Sequence, residues 1–337
     1  MTYIDVYLPY TYENKYTWNI HAIQSVDHKK HQHLVFIHGV SGSANSLFST
    51  YDHFKDKYNC HYIDLPGFGL SHLVSGNVKD VKKFNIDQII DHLCSAVIFY
   101  ITNYIDENVI LIGHSYGSYI CTHLVCKYPD VINKAILTSC GGILPTMGKY
   151  AAYWALAYKI GIPQYVCKIF KLIENFHKWI QSTNVRIVNY ENTNTYTDRF
   201  IAKIFNFDLQ YTTMWERFTF IDLIKTNVPL AFIHGLNDQI IPYEHTENIA
   251  KIADVPLYSI IAGHMLNWTN SKEYCITIEI AIDNAKHPCH QINKIADRIS
   301  YNELTTYKSS FNIKKCQSVN EKLANMLYEK KRRYWDI

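Results

Sequence analysis

Gly113-His114-Ser115-Tyr116-Gly117 sets a serine between two glycines. The pattern G-x-S-x-G falls between an apolar run, 108–112, and a stretch of helical character, 116–127. A strand that turns this sharply into a helix strains the serine and leaves little room for side chains two residues either side. The strain presents a hydroxyl above the strand end, at a helix N-terminus. The competing reading is an ordinary glycine-flanked loop.

A serine hydroxyl is a poor nucleophile at neutral pH and needs a base. The chain has 17 histidines, so a histidine alone says nothing. His264 stands out by position: it follows the last strand-like run in Ile261-Ala262-Gly263-His264. An imidazole that takes a proton needs an acid to fix its tautomer and stabilise the cation. Asp238, in His234-Gly235-Leu236-Asn237-Asp238, follows the preceding strand. An Asx-type turn residue is the bland alternative there. The run 134–138 ends in Thr138-Ser139-Cys140 and offers no competing carboxylate. Developing negative charge on a carbonyl oxygen calls for two backbone donors, each worth about 10²–10³ in rate. Tyr116 N–H, next to the nucleophile, is one candidate. Val40 N–H, in His38-Gly39-Val40-Ser41-Gly42 after the run 33–37, is the other. The alternative for Val40 is a simple glycine-rich turn.

These groups need a frame. Short strand-like runs lie around 4–7 and 18–23, and apolar runs at 33–37, 60–64, 108–112, 134–138, 229–233 and 256–261. Helical spacing lies between them, at 44–57, 85–104 (Ile86, Ile89, Ile90, Leu93, Val97), 116–127 and 246–253. Alternating strand and helix implies a parallel sheet with helices on both faces. Functional groups of such sheets collect at the carboxyl ends of the strands. The alternation breaks at Gly141-Gly142, and residues 144–226 read as helical with a polar break near 181–197. The expected organisation is an α/β core over 1–143 and 227–285, a helical cap over 144–226, and a basic extension over 286–337.

The chain resembles the α/β-hydrolase family, most closely the abhydrolase-domain lipid and ester hydrolases. The resemblance rests on His38-Gly39, the loop Asp64-Leu65-Pro66-Gly67-Phe68-Gly69-Leu70-Ser71, the serine pentapeptide, His234-Gly235-Leu236-Asn237-Asp238 and Gly263-His264. These cover roughly residues 30–285, and the order Ser115, Asp238, His264 is the one this fold uses. The resemblance implies an eight-stranded, mostly parallel sheet with a cap over the site. Some relatives carry His-x-x-x-x-Asp from the catalytic histidine, an acyltransferase signature. Here the fifth residue after His264 is Thr269, which weakens that reading. Ser115 argues against the aspartate-nucleophile epoxide hydrolases and dehalogenases of this fold.

Residues 150–181 are rich in aromatics, among them Tyr153 and Trp154. They pack against the core, line a pocket for an apolar acyl chain, or touch a lipid surface. Gly39, His114, Tyr153 and Trp154 are the candidate substrate contacts. The last 52 residues carry 11 Lys/Arg against 5 Asp/Glu, which leaves 22 against 25 for residues 1–285. A slightly acidic body does not fit a nucleic-acid-binding protein. The basic tail, ending in Lys330-Lys331-Arg332-Arg333, reads as a solvated helix end, an anionic-lipid contact or a targeting signal. Nine scattered cysteines without CxxC pairs, and no evident signal peptide or 18-residue apolar stretch, lead us to expect a cytoplasmic protein with reduced thiols, peripheral to a membrane if it meets one. The expectation is ester hydrolysis on an apolar acyl group through an acyl-enzyme on Ser115, with no metal or cofactor required. Other Ser-His-Asp chemistries (carbon–carbon bond hydrolase, peptidase, perhydrolase) and a non-catalytic lipid-binding scaffold stay open. Oligomeric state is not legible.

Overall fold

A computed structural model describes residues 3–140, 223 and 226–288, apart from 28, 40, 41, 82, 83, 85 and 242. The expected cap, 144–226, and the basic extension, 286–337, therefore lie almost wholly outside the described residues.

The chain opens with a long hairpin of β1 (Ile4–Tyr12) and β2 (Tyr16–Ser25), paired antiparallel from Ile4↔Gln24 to Tyr12↔Tyr16. Glu13 and Asn14 turn it with φ of 51° and 52°. Then come β3 (His33–Ile37), two single helical turns α1 (Ala44–Leu47) and α2 (Tyr51–Phe54), β4 (Asn59–Ile63), β5 (His72–Ser75) and α3 (Val78–Val81). The long α4 (Ile86–Tyr100) ends in a π-helical turn, 101–105, stopped by left-handed Asp106. After it follow β6 (Val109–His114), α5 (Tyr116–Lys127) and β7 (Ile132–Thr138). The fold resumes with β8 (Leu230–Gly235), α6 (Tyr243–Ala253), β9 (Leu257–Ile260), α7 (Leu266–Thr269) and α8 (Ser271–Asn284).

All nine strands form one sheet, in the order β1-β2-β4-β3-β6-β7-β8-β9 with β5 on the side of β2. From β4 to β9 every pairing is parallel. The eight-stranded, mostly parallel α/β sheet expected from the sequence is present, with β5 as a ninth strand. Its four residues, mostly exposed, carry no alternation to betray them.

β3, β6 and β8 are buried along their whole length, which is why they read as continuous apolar runs. Leu34, Phe36, Ile110 and Ile112 face one core, shared with α1, α2 and α8. Val35, Ile37, Val109 and Leu111 face the other, shared with α4, α5 and α6. Helices cover both faces, and the carboxyl ends of β3, β6, β7, β8 and β9 are left to build one edge.

Candidate active site

Ser115 leaves β6 and caps α5 at φ 54° and ψ −118°, a conformation that non-glycine residues rarely adopt. Its amide donates to Thr138 O at 2.9 Å. The two glycines are dictated by backbone proximity. A Cβ on Gly113 would sit 2.6 Å from Ser118 N, and one on Gly117 would sit 2.1 Å from Ile37 O and 2.6 Å from His38 O. The Ser118 hydroxyl, 2.8 Å from Gly113 O and 2.9 Å from Thr138 O, braces the turn from inside. Because Gly117 abuts backbone rather than a side chain that could move, Gly117→Ala should cost about 3 kcal/mol. A urea melt of the purified variant checks this, and a midpoint equal to wild type would refute it.

Asp238 sits just beyond β8 and is buried. Its Oδ1 accepts the amides of Ile240 and Ile241, each at 2.9 Å. Its Oδ2 lies 2.7 Å from His264 Nδ1. Although burial pushes its pKa up, hydrogen bonds from His234 and His264 win and hold the carboxyl well below the usual range. His264 follows β9, and its Nε2 lies 2.9 Å from Ser115 Oγ. With a carboxylate facing Nδ1, the proton belongs on Nδ1, and Nε2 accepts from the Ser115 hydroxyl. The structure thus brings together three residues far apart in sequence, in donor-to-acceptor order from Ser115 through His264 to Asp238.

The remaining predicted site residues fall as follows. Tyr116 is the first residue of α5, so its amide stands beside Ser115 at the helix N-terminus. Gly39 lies against this edge, where a Cβ would come within 3.2 Å of Ser115 Cβ. His114 is buried, and its Nε2–H donates to His264 O at 2.9 Å. Burial pushes its pKa down to about 3, so it stays neutral. Val40, Tyr153 and Trp154 lie outside the described residues.

Two contributors escaped the sequence reading. His38, buried at the end of β3, accepts Leu65 N–H at Nε2 (3.2 Å). Its Nδ1–H therefore donates to Gly39 O (2.8 Å), tying the loop after β3 to the loop after β4. His234, at the end of β8, is packed against Asp238. Both are His-Gly pairs at a strand's carboxyl end, the one signal that could have singled them out. Among the described residues no cluster of His, Cys, Asp and Glu could hold a metal ion.

The family described as serine aminopeptidase, S33, matches residues 28–260. Among curated proteins, the chain is 25% identical over 243 residues to Protein ABHD8 of Mus musculus, covering 69% of this chain and 51% of that one. It is 30% identical over 150 residues to the pimeloyl-[acyl-carrier protein] methyl ester esterase of Shewanella oneidensis, covering 44% and 48%. The chain thus spans about half the length of these relatives. Among solved structures, E-2-(acetamidomethylene)succinate hydrolase superposes with a TM-score of 0.58 at 14% identity, over 83% of this chain and all of that one, a likeness of fold alone. The match to most of the described core, together with the sheet order and the elbow, establishes that the chain belongs to the S33 family of α/β-hydrolases.

Proposed function

We propose that the protein is a serine hydrolase that cleaves carboxylic esters through an acyl-enzyme on Ser115. The observation that carries this reading is the pair of contacts at His264: Nε2 at 2.9 Å from Ser115 Oγ, and Nδ1 at 2.7 Å from Asp238 Oδ2. His264 removes the Ser115 proton as Oγ attacks the ester carbonyl. The imidazolium is stabilised by Asp238. The amides of Tyr116 and Val40 hold the oxyanion. His264 then returns the proton to the departing alcohol, and water repeats the sequence on the acyl-enzyme. Every group required is supplied by the chain.

The similarity to a methyl ester esterase supports an ester substrate. The aromatic segment that contains Tyr153 and Trp154 supports an apolar acyl group, with Gly39 and His114 beside the reacting carbon and the basic tail as a contact for anionic lipid. No described helix is long and apolar enough to cross a membrane. A second reading, an aminopeptidase, is favoured by the description of the matching family. Both use the same acyl-enzyme and differ in the leaving group.

A fluorophosphonate probe should label wild type and neither Ser115→Ala nor His264→Ala. A folded wild type that takes no label would overturn the proposal in favour of a scaffold. With labelling in hand, p-nitrophenyl esters of two to twelve carbons should show kcat/KM rising with chain length. Faster turnover of aminoacyl p-nitroanilides than of any ester would transfer the assignment to the peptidase.

A further inference from the structure

His234 is completely buried at the end of β8, and each ring nitrogen has a defined neighbour. Nε2 lies 2.9 Å from Ile241 O and 3.3 Å from Asp238 Oδ2. Both are acceptors, so Nε2 carries a proton. Nδ1 lies 2.8 Å from Thr246 Oγ1, on α6. The ring is thus clamped between α6 and the 238–241 turn, its Nε2–H donating to Ile241 O while Nε2 also stands 3.3 Å from the carboxylate oxygen that faces His264. Asp238 is consequently held at both oxygens: Oδ1 by two backbone amides, and Oδ2 by His264 at 2.7 Å with His234 at 3.3 Å on its other side.

We propose that His234 is a positioning residue of the acid–base pair, whose Nε2–H fixes the rotation of the Asp238 carboxylate and shares its charge with His264. This rests on the serine-hydrolase reading above. A carboxylate anchored only through Oδ1 could swing about that point, carrying Oδ2 away from Nδ1 of His264. A donor on the far side of Oδ2 blocks that swing. It also withdraws part of the charge that would otherwise stabilise only the His264 imidazolium, and so favours the neutral imidazole that can act as base. Among the described residues, the other titratable groups that face the pair are His114, whose ring lies 5.1 Å from that of His264, and Tyr243, edge-on to His234 at 5.9 Å.

The test compares His234→Phe with His234→Gln across pH. Phenylalanine keeps the ring and loses the donor. Glutamine keeps an N–H₂ at the distance of Nε2. For His234→Phe, kcat/KM should fall about 10-fold near pH 8, and its acid limb should move up by about half a pH unit, because Asp238 then gives its whole charge to His264. His234→Gln should keep the wild-type limb and lose no more than about 3-fold. A uniform loss in both variants with an unmoved limb would mean simple packing and would overturn the proposal. Nitrogen-15 spectra of histidine-labelled wild type give an arm independent of any variant's folding or of catalysis. They should show His234 Nε2 protonated between pH 6 and 8, and an unprotonated Nε2 would overturn the proposal. Should wild type neither take the probe nor turn over esters, the serine-hydrolase reading falls, while the spectra still decide the placement of the His234 proton.

Discussion

Asp238→Asn should lower kcat by about 10⁴-fold while leaving the protein folded. The direction follows from the hydrogen bonds already fixed around the carboxylate. Oδ1 accepts two backbone amides, Ile240 and Ile241, which cannot reverse their polarity. The amide oxygen of an asparagine must therefore occupy the Oδ1 position, and its NH₂ must occupy that of Oδ2. There it meets His264 Nδ1 at about the present 2.7 Å. Two donors cannot face each other, so His264 moves its proton to Nε2. An Nε2–H facing Ser115 Oγ cannot accept the serine proton, and the nucleophile is silenced by the wrong tautomer. Turnover of a p-nitrophenyl ester by the purified variant, with its circular dichroism as a fold control, checks this. Activity within 10-fold of wild type would show that His264 needs no acid and would remove Asp238 from the mechanism.

A second large effect concerns acid. His61, His92, His114 and His123 are buried, and burial pushes each pKa down to about 3. In the unfolded chain each titrates near 6.5. Below pH 6.5 the unfolded state therefore takes up protons that the folded state refuses, and stability falls as pH falls. Each such histidine removes about 1.4 kcal/mol per pH unit down to pH 3, and four together about 5. His21, between Asp64 and Asp5 at 2.7 and 3.0 Å, has a raised pKa despite the lowering effect of its burial. Its contribution is complete below pH 6.5 and is lost only as pH rises through its folded value, so it does not soften the acid slope. Asp238, held low, adds to the loss only below about pH 4. For an ordinary net stability of about 5–15 kcal/mol, unfolding should set in within one to three pH units below 6.5. Urea midpoints at pH 7.5, 6.5 and 5.5 measure it, and equal midpoints would refute it. His92 offers a clean control. Its ring is surrounded by Tyr10, Tyr12, Trp18 and Phe84. Its Nε2 has no hydrogen-bond partner among the described residues. His92→Phe should reduce the slope by about 1.4 kcal/mol per pH unit.

Some of this architecture was legible in the sequence because backbone geometry admits few residue types. The glycines at 113 and 117 sit where any Cβ would collide with a neighbouring backbone. β3, β6 and β8 announce themselves because both faces of each are buried. The strands of the hairpin run longer than their apolar centres suggest, since the exposed positions of β1 (Ile4, Tyr7, Pro9 and Thr11) follow no regular alternation of apolar and polar residues. The stretch 44–57 reads as one helix and is helical without a break over 44–54, its two α-turns joined by a 3-10 turn at Phe48–Thr50. At its start Ala44 N is pinned by Asp64 Oδ1. The parts played by His38 and His234 were marked only by a His-Gly pair at each strand's carboxyl end. Each depends on which carbonyl, amide or carboxylate the fold brings to each ring nitrogen, and 17 histidines are available to be brought. Ser115, Asp238 and His264 were readable as a set because each ends or follows a strand of the same parallel sheet, which delivers all three to one edge.

β7 and β8 are hydrogen-bonded neighbours, from Ala135↔Leu230 to Thr138↔Ile233, although some 90 residues separate them in the chain. The polypeptide leaves the sheet beside Ser139 and re-enters it one strand over, before Asp238 and His264 are reached. Whatever lies between places no strand between β7 and β8 and leaves their pairing continuous. A change of length there need not alter the register of the strands that bring Ser115, Asp238 and His264 to one edge. On the proposed serine-hydrolase reading, exchanging 141–222 between relatives should therefore leave the Ser115–His264–Asp238 contacts in place, whereas substitutions inside β6 to β8 should disturb them.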